Sequence, residues 1–372
     1  MLSQNIRSIS SSLVLTILVF LLIASLALPA KLAAEPGEQA GGQEAVRAVM
    51  AHMVLVPGGA FRMGDLFAEG KDNELPVHNV ILSDYYISKF EVIVAEYRAF
   101  VNETGYATRS ERFDSREKQQ ARYHRLMAKA QAGEFDQEFQ TIAAELLESG
   151  GCYFWKSNPG NFDFSLDCNW RTPLIEQTDN DPVVCLAWVD AASYCNWLSA
   201  KEGLPPAYNV DTGELLDAAG TSTGDMTAVR GYRMPTEAEW EFAARESGKE
   251  VRFGNGADLA KGEEINFDAA RDDYSFCSKG GYRGGTTPVG SYAANALGLF
   301  DMSGNAWEWT SDSYASYTAA DQVNPIATTG AAKVIRGGRW GGDALEARVF
   351  TRSPYEMINR CNNAGFRIAK SK

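Results

Sequence analysis

A chain of 372 residues with 45% hydrophobic and 22% charged side chains has the size and balance of a folded protein with a large core and one or two domains. Thirty-five Lys and Arg against 48 Asp and Glu leave a net charge of −13, which argues against a phosphate-tracking nucleic-acid binder. The three histidines, His52, His78 and His124, are scattered without paired spacing, which argues against iron or zinc catalysis built on imidazoles.

Residues 1–34 read as an export signal. Arg7 supplies the positive start, Leu13 to Leu28 is an apolar run broken by Thr16 and Ser25, and small residues follow at Ala30, Ala33 and Ala34. The run is 16 residues long, short of the roughly 20 that span a bilayer. Cleavage after Ala30 or Ala34 is expected, with an uncleaved anchor as the alternative and as the only contact with a membrane. No Cys follows the run, so a lipid anchor is not supported. Because 1–34 holds two cations and no acid, cleavage moves the charge from −13 to −15. The expected location is periplasmic or secreted.

Residues 35–50, rich in Gly, Ala, Glu and Gln, read as a linker, and 51–372 as one domain. Met53 to Gly59 predicts a strand ending in a turn, and Phe61 to Met63, Val80 to Leu82 and Tyr85 to Ile87 predict three more. Val94, Tyr97, Phe100 and Val101 lie at helical spacing, so Glu91 to Glu103 predicts a helix closed by Gly105. Residues 110–149 are charged and nearly free of Pro and Gly, with Phe135, Phe139, Ile142, Ala143 and Leu146 on one stripe, and read as a helical insertion. Asp190 to Glu202 predicts a helix ended by Gly203. Thr236-Glu-Ala-Glu239 is a capping box at the start of another, with Trp240, Ala243 and Ala244 facing inward. From Phe253 onward short strands and structured loops are expected, dense in Gly, Asn, Asp and Trp. The six cysteines, Cys152, Cys168, Cys185, Cys195, Cys277 and Cys361, include no Cys-x-x-Cys pair. Six allow fifteen full pairings; a local Cys152–Cys168 bridge and buried thiols are both open readings.

Several segments together resemble the formylglycine-generating enzyme, or sulfatase-modifying factor, family. They are Met53-Val-Leu-Val-Pro-Gly-Gly-Ala-Phe-Arg-Met-Gly64, Tyr86-Ile-Ser-Lys-Phe-Glu-Val92, Pro182 to Cys195, Tyr232 to Arg245, and Gly298-Leu-Phe-Asp-Met-Ser-Gly-Asn-Ala-Trp-Glu-Trp309. Val334-Ile-Arg-Gly-Gly338 and Gly365-Phe-Arg367 complete the series. The resemblance implies an α+β fold related to C-type lectins, with little regular secondary structure and bound calcium. Asp301 and Glu308 flank a tight Gly304-Asn305 turn, and two carboxylates with the carbonyls of Gly304 and Ala306 form a hard oxygen set that suits Ca²⁺. Family members resembling this run use the same four positions. A second family calcium site would use Asn266 and the Phe267 carbonyl, but Ser278 to Arg283 carries no carboxylate; Asp272 or Asp273 would have to substitute.

Formylglycine-generating members bind copper through two cysteines, six and eleven residues into the segment opening with Gly-Gly. Counted from Gly337, those positions hold Gly342 and Ala347, and 337–360 contains no Cys or His. No copper is expected, since Cu(I) needs soft thiolates. The segment instead offers Arg339, Trp340, Asp343, Glu346, Arg348, Arg352 and Tyr355 as candidate ligand-binding residues. Arg grips carboxylates bidentately, Trp and Tyr stack on flat ligands, and Gly341 and Gly342 are expected to leave open space. Internal pairing of the arginines with Asp343, Glu346 and Glu356 is the competing reading.

Three functions remain. The first is a calcium-stabilised accessory domain that binds a peptide, glycan or small molecule. The second is a divergent oxidative enzyme tailoring an exported peptide or siderophore precursor, with Glu346 or Asp343 as base and Tyr355 as proton donor. The third is the variable protein of a diversity-generating system. Formylglycine formation itself is opposed by the missing thiols.

Overall fold

Alternating burial builds two small three-stranded sheets from the first part of the fold. His78–Leu82 points His78, Val80 and Leu82 inward and Asn79 and Ile81 outward. It pairs antiparallel with Gly59–Met63, placing Phe61 opposite Val80, and parallel with Gln322–Val323. Met53–Val56 pairs antiparallel with Tyr85–Ser88, whose other edge takes Ala369–Ser371, so an early and a late segment close one sheet. The computed structural model describes residues 46–47, 49–112, 115–148, 150–156, 161–270 and 274–372. The expected export segment and Asp272 and Asp273 lie outside the described residues.

The central four-stranded sheet runs Arg352–Glu356, Ala332–Arg336, Trp307–Ser313, Ala364–Phe366. The first two pairings are antiparallel and the last is parallel. Every side chain of Trp307–Ser313 is buried.

Val94–Thr104 is the first long helix. Gly105 ends it at φ 66° in the left-handed region, where glycine is unstrained, donating its N–H to the Val101 carbonyl at 2.8 Å. Trp188–Lys201 packs beside it, and Tyr97, Phe100, Tyr194 and Trp197 make edge and stacked contacts at 5.3–5.8 Å. That helix starts two residues before the expected Asp190. Asp190 is instead its third residue, and its carboxylate accepts the Ala187 N–H at 2.9 Å. The capping box at Thr236 forms as read: its hydroxyl accepts from Glu239 N at 3.0 Å, and the Glu239 carboxylate accepts from Thr236 N at 2.8 Å. The short helix Glu237–Ala244 is buried on all sides, not on one face.

Residues 110–149 contain two helices, Arg116–Ala132 and Gln137–Glu148, folded against each other around Leu126, Phe139, Ile142 and Leu146. Phe135, expected on the inner stripe, is 43% exposed, because the chain turns after Gly133 and Phe135 precedes the second helix. The stretch read as linker is helical where it is described near its end, at 46–47 and 49–51. Val46 and Val49 fall three residues apart and are buried in the main core. The whole is α+β with little regular secondary structure.

Candidate functional site

The loop before the central strand carries an acidic cluster. Asp301, Gly304 and Asn305 have φ of 57°, 81° and 61°, and these left-handed residues coil 301–306 tightly before Trp307–Ser313 begins. Glu308 is fully buried and held bidentately by Arg367, at 2.6 and 2.7 Å, with the Trp240 indole N–H donating at 2.8 Å. Those three donors leave one of the carboxylate's roughly four lone-pair sites free. Asp301 accepts the Gly290 N–H at 2.8 Å. Glu91, 1% exposed, joins them: Asn305 donates to its Oε1 at 3.2 Å, and its buried Oε2 has no hydrogen-bond partner. Burial pushes Asp301 up to about 6 and Glu91 well above the carboxylate range, and repulsion among the three carboxylates adds to it. Three carboxylates against one guanidinium, with one oxygen orphaned, is a donor set short of a cation. Hard oxygens are the ligand type that Ca²⁺ takes, in flexible geometry, although the three carboxylates do not all bring an oxygen within 4.8 Å of one another. No local pattern marks Glu91, which lies far from Asp301 in the chain and meets it only in the fold. At the other family calcium position Asn266 is buried; its amide donates to Gly285 O and Asn305 Oδ1, and its own Oδ1 has no partner.

This loop braces the Gly-Gly segment. Gly304 N donates to Gly337 O at 2.7 Å, Trp340 N to Asn305 O at 2.8 Å, and Ser303 Oγ to Ala347 O at 2.6 Å. The expected open space above Gly341 and Gly342 does not exist. The hairpin of Cys152–Lys156 and Asn161–Ser165 lies over it, so that a Cβ on Gly341 would meet the Trp155 ring at 2.6 Å. A Cβ on Gly342 would meet the Glu346 carboxylate at 2.2 Å. The Arg339 guanidinium stacks on Trp155 at 4.4 Å and on Phe162 at 4.9 Å, and pairs with Glu346 at 2.9 Å.

The other expected ligand-binding residues are engaged internally. Trp340 is 1% exposed and donates its N–H to Asn362 O at 3.3 Å, so it offers no stacking face. Arg348 pairs with Glu74 at 2.9 Å, and Arg352 grips Glu237 at 2.6 and 2.7 Å. Tyr355 packs its ring against Trp309 at 5.2 Å. Asp343 caps its own turn, accepting Glu346 N at 3.0 Å, and with Glu346 stays half-buried. The pairing reading holds for Arg339 and Glu346, but the remaining partners are distant in sequence, in Glu74 and in the first turn of the buried helix. A positional count along one segment could not see them.

Two further features lie next to the cluster. A cavity of about 260 Å³ is lined by His52, Phe90, Glu91, Glu96, Asn180 and Val289, among others. Glu96 is pushed by burial up to about 7. Beneath the hairpin, Cys152, Cys168 and Cys185 are fully buried as free thiols, so the local Cys152–Cys168 bridge is not formed. Burial pushes the Cys152 and Cys185 thiols up, whereas in Cys168 the neighbouring thiols and Arg360 outweigh burial and bring it down to about 5.

Residues 39–372 match the family described as sulfatase-modifying factor enzyme 1-like domain. The chain belongs to the sulfatase-modifying factor family. It is 32% identical over 352 residues to a formylglycine-generating enzyme of Streptomyces coelicolor, covering 91% of this chain and 93% of that one. It is 29% identical to the inactive C-alpha-formylglycine-generating enzyme 2 of Bos taurus, covering 86% and 87%. Among solved structures, PvdO from Pseudomonas aeruginosa superposes with a TM-score of 0.55 at 24% identity, over 86% of this chain and 93% of that one, which supports the fold. Within this sulfatase-modifying-factor scaffold, the loop from Asp301 to Glu308 and the buried arginine pairs hold the Gly-Gly segment in place, and the hairpin covers it.

Proposed function

We propose that this chain is an exported, calcium-stabilised accessory member of the sulfatase-modifying factor family, one that binds a peptide, glycan or small molecule and does not oxidise it. The observation that carries this reading is the Trp155 ring seated on Gly341, beside the two positions where copper-binding relatives place thiols and this chain has Gly342 and Ala347. A reaction at that place needs both soft ligands and room for a substrate, and neither is present. Calcium would be held by Asp301, Glu308, the carbonyls of Gly304 and Ala306, and the free oxygen of Glu91; it would neutralise buried charge and stiffen the loop that braces the segment. The cavity lined by Phe90 and Glu96 is small, mostly apolar and carries few polar groups, features of a site for a small ligand or a single peptide side chain.

The test gives the copper-loaded full chain a sulfatase-type cysteine peptide in the presence of oxygen and follows the peptide by mass spectrometry. The peptide should remain unoxidised, and conversion of its cysteine to an aldehyde would overturn the reading. For binding, ligands found by screening should lose affinity in Phe90→Ala, whereas Arg98→Ala, on the surface, should leave affinity unchanged.

A further inference from the structure

Three buried thiols converge from three separate segments. Cys152 opens the covering hairpin, Cys168 follows its second strand, and Cys185 precedes the helix Trp188–Lys201 with φ of 63°. Their Sγ atoms all lie within 4.8 Å of one another, and those of Cys168 and Cys185 are 3.5 Å apart. Sulfurs bound to one ion at about 2.3 Å stand roughly 3.8–4.0 Å from each other, a spacing that lies between the closest pair here and the 4.8 Å limit, so small shifts bring the three onto one centre. Val184 and Ala306 pack around the sulfurs, with Phe154 against them. All three cysteines are fully buried, and the Cys152 thiol donates to the Tyr153 carbonyl at 3.2 Å.

We propose that Cys152, Cys168 and Cys185 form a site for a soft monovalent d¹⁰ cation, Cu(I), held by sulfur alone. Thiolates select soft ions, and structural zinc sites almost always take four ligands, whereas this cluster supplies three among the described residues. The ligating sulfurs are thiolates, so Cu⁺ with three of them carries −2, and the guanidinium of Arg360, buried within electrostatic reach of Cys152 and Cys168, offsets one of those charges. Loading exchanges the protons of three thiols for Cu–S bonds and changes no oxidation state. The site is separate from Gly342 and Ala347, where the sequence excludes copper. Buried with Val184, Ala306 and Phe154 around the sulfurs, the ion would fasten the hairpin to the loop at Ala306, away from any substrate. Copper uptake and peptide conversion are therefore independent readouts.

The experiment titrates the reduced full chain, without oxygen, with Cu(I) buffered by a competing chelator. One Cu(I) per chain is expected, with a sulfur-only first shell in copper X-ray absorption. Changes outside a first shell already cost roughly 10–100-fold in metal affinity, so Cys168→Ser and Cys152→Ala should each weaken binding by at least that much. Cys277→Ser, outside the cluster, should bind as wild type does. If the cluster variants fail to fold, the first shell of the wild-type complex decides. Absence of uptake, a first shell of nitrogen or oxygen, preference for zinc over Cu(I), or a disulfide between two of the three cysteines in the isolated protein would each overturn the proposal.

Discussion

At the scale of single residues, much of the buried charge is held in ion pairs. Glu237, Glu239 and Glu241 lie on one short helix and hold Arg352, Arg233, Arg245 and Arg336, while Arg367 holds Glu308 and Arg348 holds Glu74. Removing one partner strands the other in a medium that cannot solvate it. Arg352→Ala should therefore lower unfolding free energy by about 3–5 kcal/mol in denaturant melts, whereas Arg98→Ala, which breaks an exposed pair with Asp179, should cost about 0.2–1 kcal/mol. Glu96 gives a pH signature. Its folded pKa of about 7 stands above the ordinary 4.5, so the folded state holds the extra proton between those values. Its contribution is fully present below about pH 4.5 and is lost as pH rises through about 7, a change of order 3 kcal/mol. Glu96→Gln should flatten the fall in stability over that window, measured by melts at several pH values; an unchanged slope would show that Glu96 does not carry it.

At the scale of elements, the covering hairpin decides what the Gly-Gly segment can do. Its two strands pair from Cys152 with Ser165 to Lys156 with Asn161, presenting Trp155 and Phe162 together to Arg339. Gly341 is glycine because the Trp155 ring occupies the space of a side chain. Gly341→Ala should destabilise by about 1–3 kcal/mol through overpacking. Combined with Trp155→Ala it should cost less than the sum of the two single changes, since the ring that clashes is gone; strict additivity in a double-mutant cycle would show that the two do not touch. The helical pair Arg116–Ala132 and Gln137–Glu148 has its own small core around Leu126, Phe139, Ile142 and Leu146, and ion pairs such as Lys129 with Asp136.

At the scale of the whole molecule, the acidic loop is a junction. It hydrogen-bonds to Gly337 and Trp340, touches the thiol cluster through Ala306, and reaches the last strands through Arg367. A cation there that binds only the folded state stabilises all of these together, by about 2.7 kcal/mol at a hundredfold excess over its dissociation constant. Chelation should lower the melting temperature, added Ca²⁺ should restore it, and Asp301→Ala should remove the response. Identical melting with chelator and with Ca²⁺ would refute the calcium assignment.

The family, the α+β class, most helix and strand positions, and the lack of thiols at 342 and 347 are all legible in the chain before it folds. These are carried by local patterns, such as the capping box from Thr236 to Glu239 or the alternation through Val80, and by blocks whose order along the chain is visible directly. Tertiary structure alone decided what fills the cleft. The partners of Arg348 and Arg352 are 274 and 115 residues away, Trp155 reaches Gly341 from a separate hairpin, and Glu91 meets Asp301 only when the sheets close. The three cysteines show the same limit: spaced along the chain without a motif, they become a cluster only where a hairpin, a turn and a helix start pack together. Chain-distant groups meet because burial must satisfy charge and fill space in three dimensions, and neither requirement leaves a period or a spacing in the sequence.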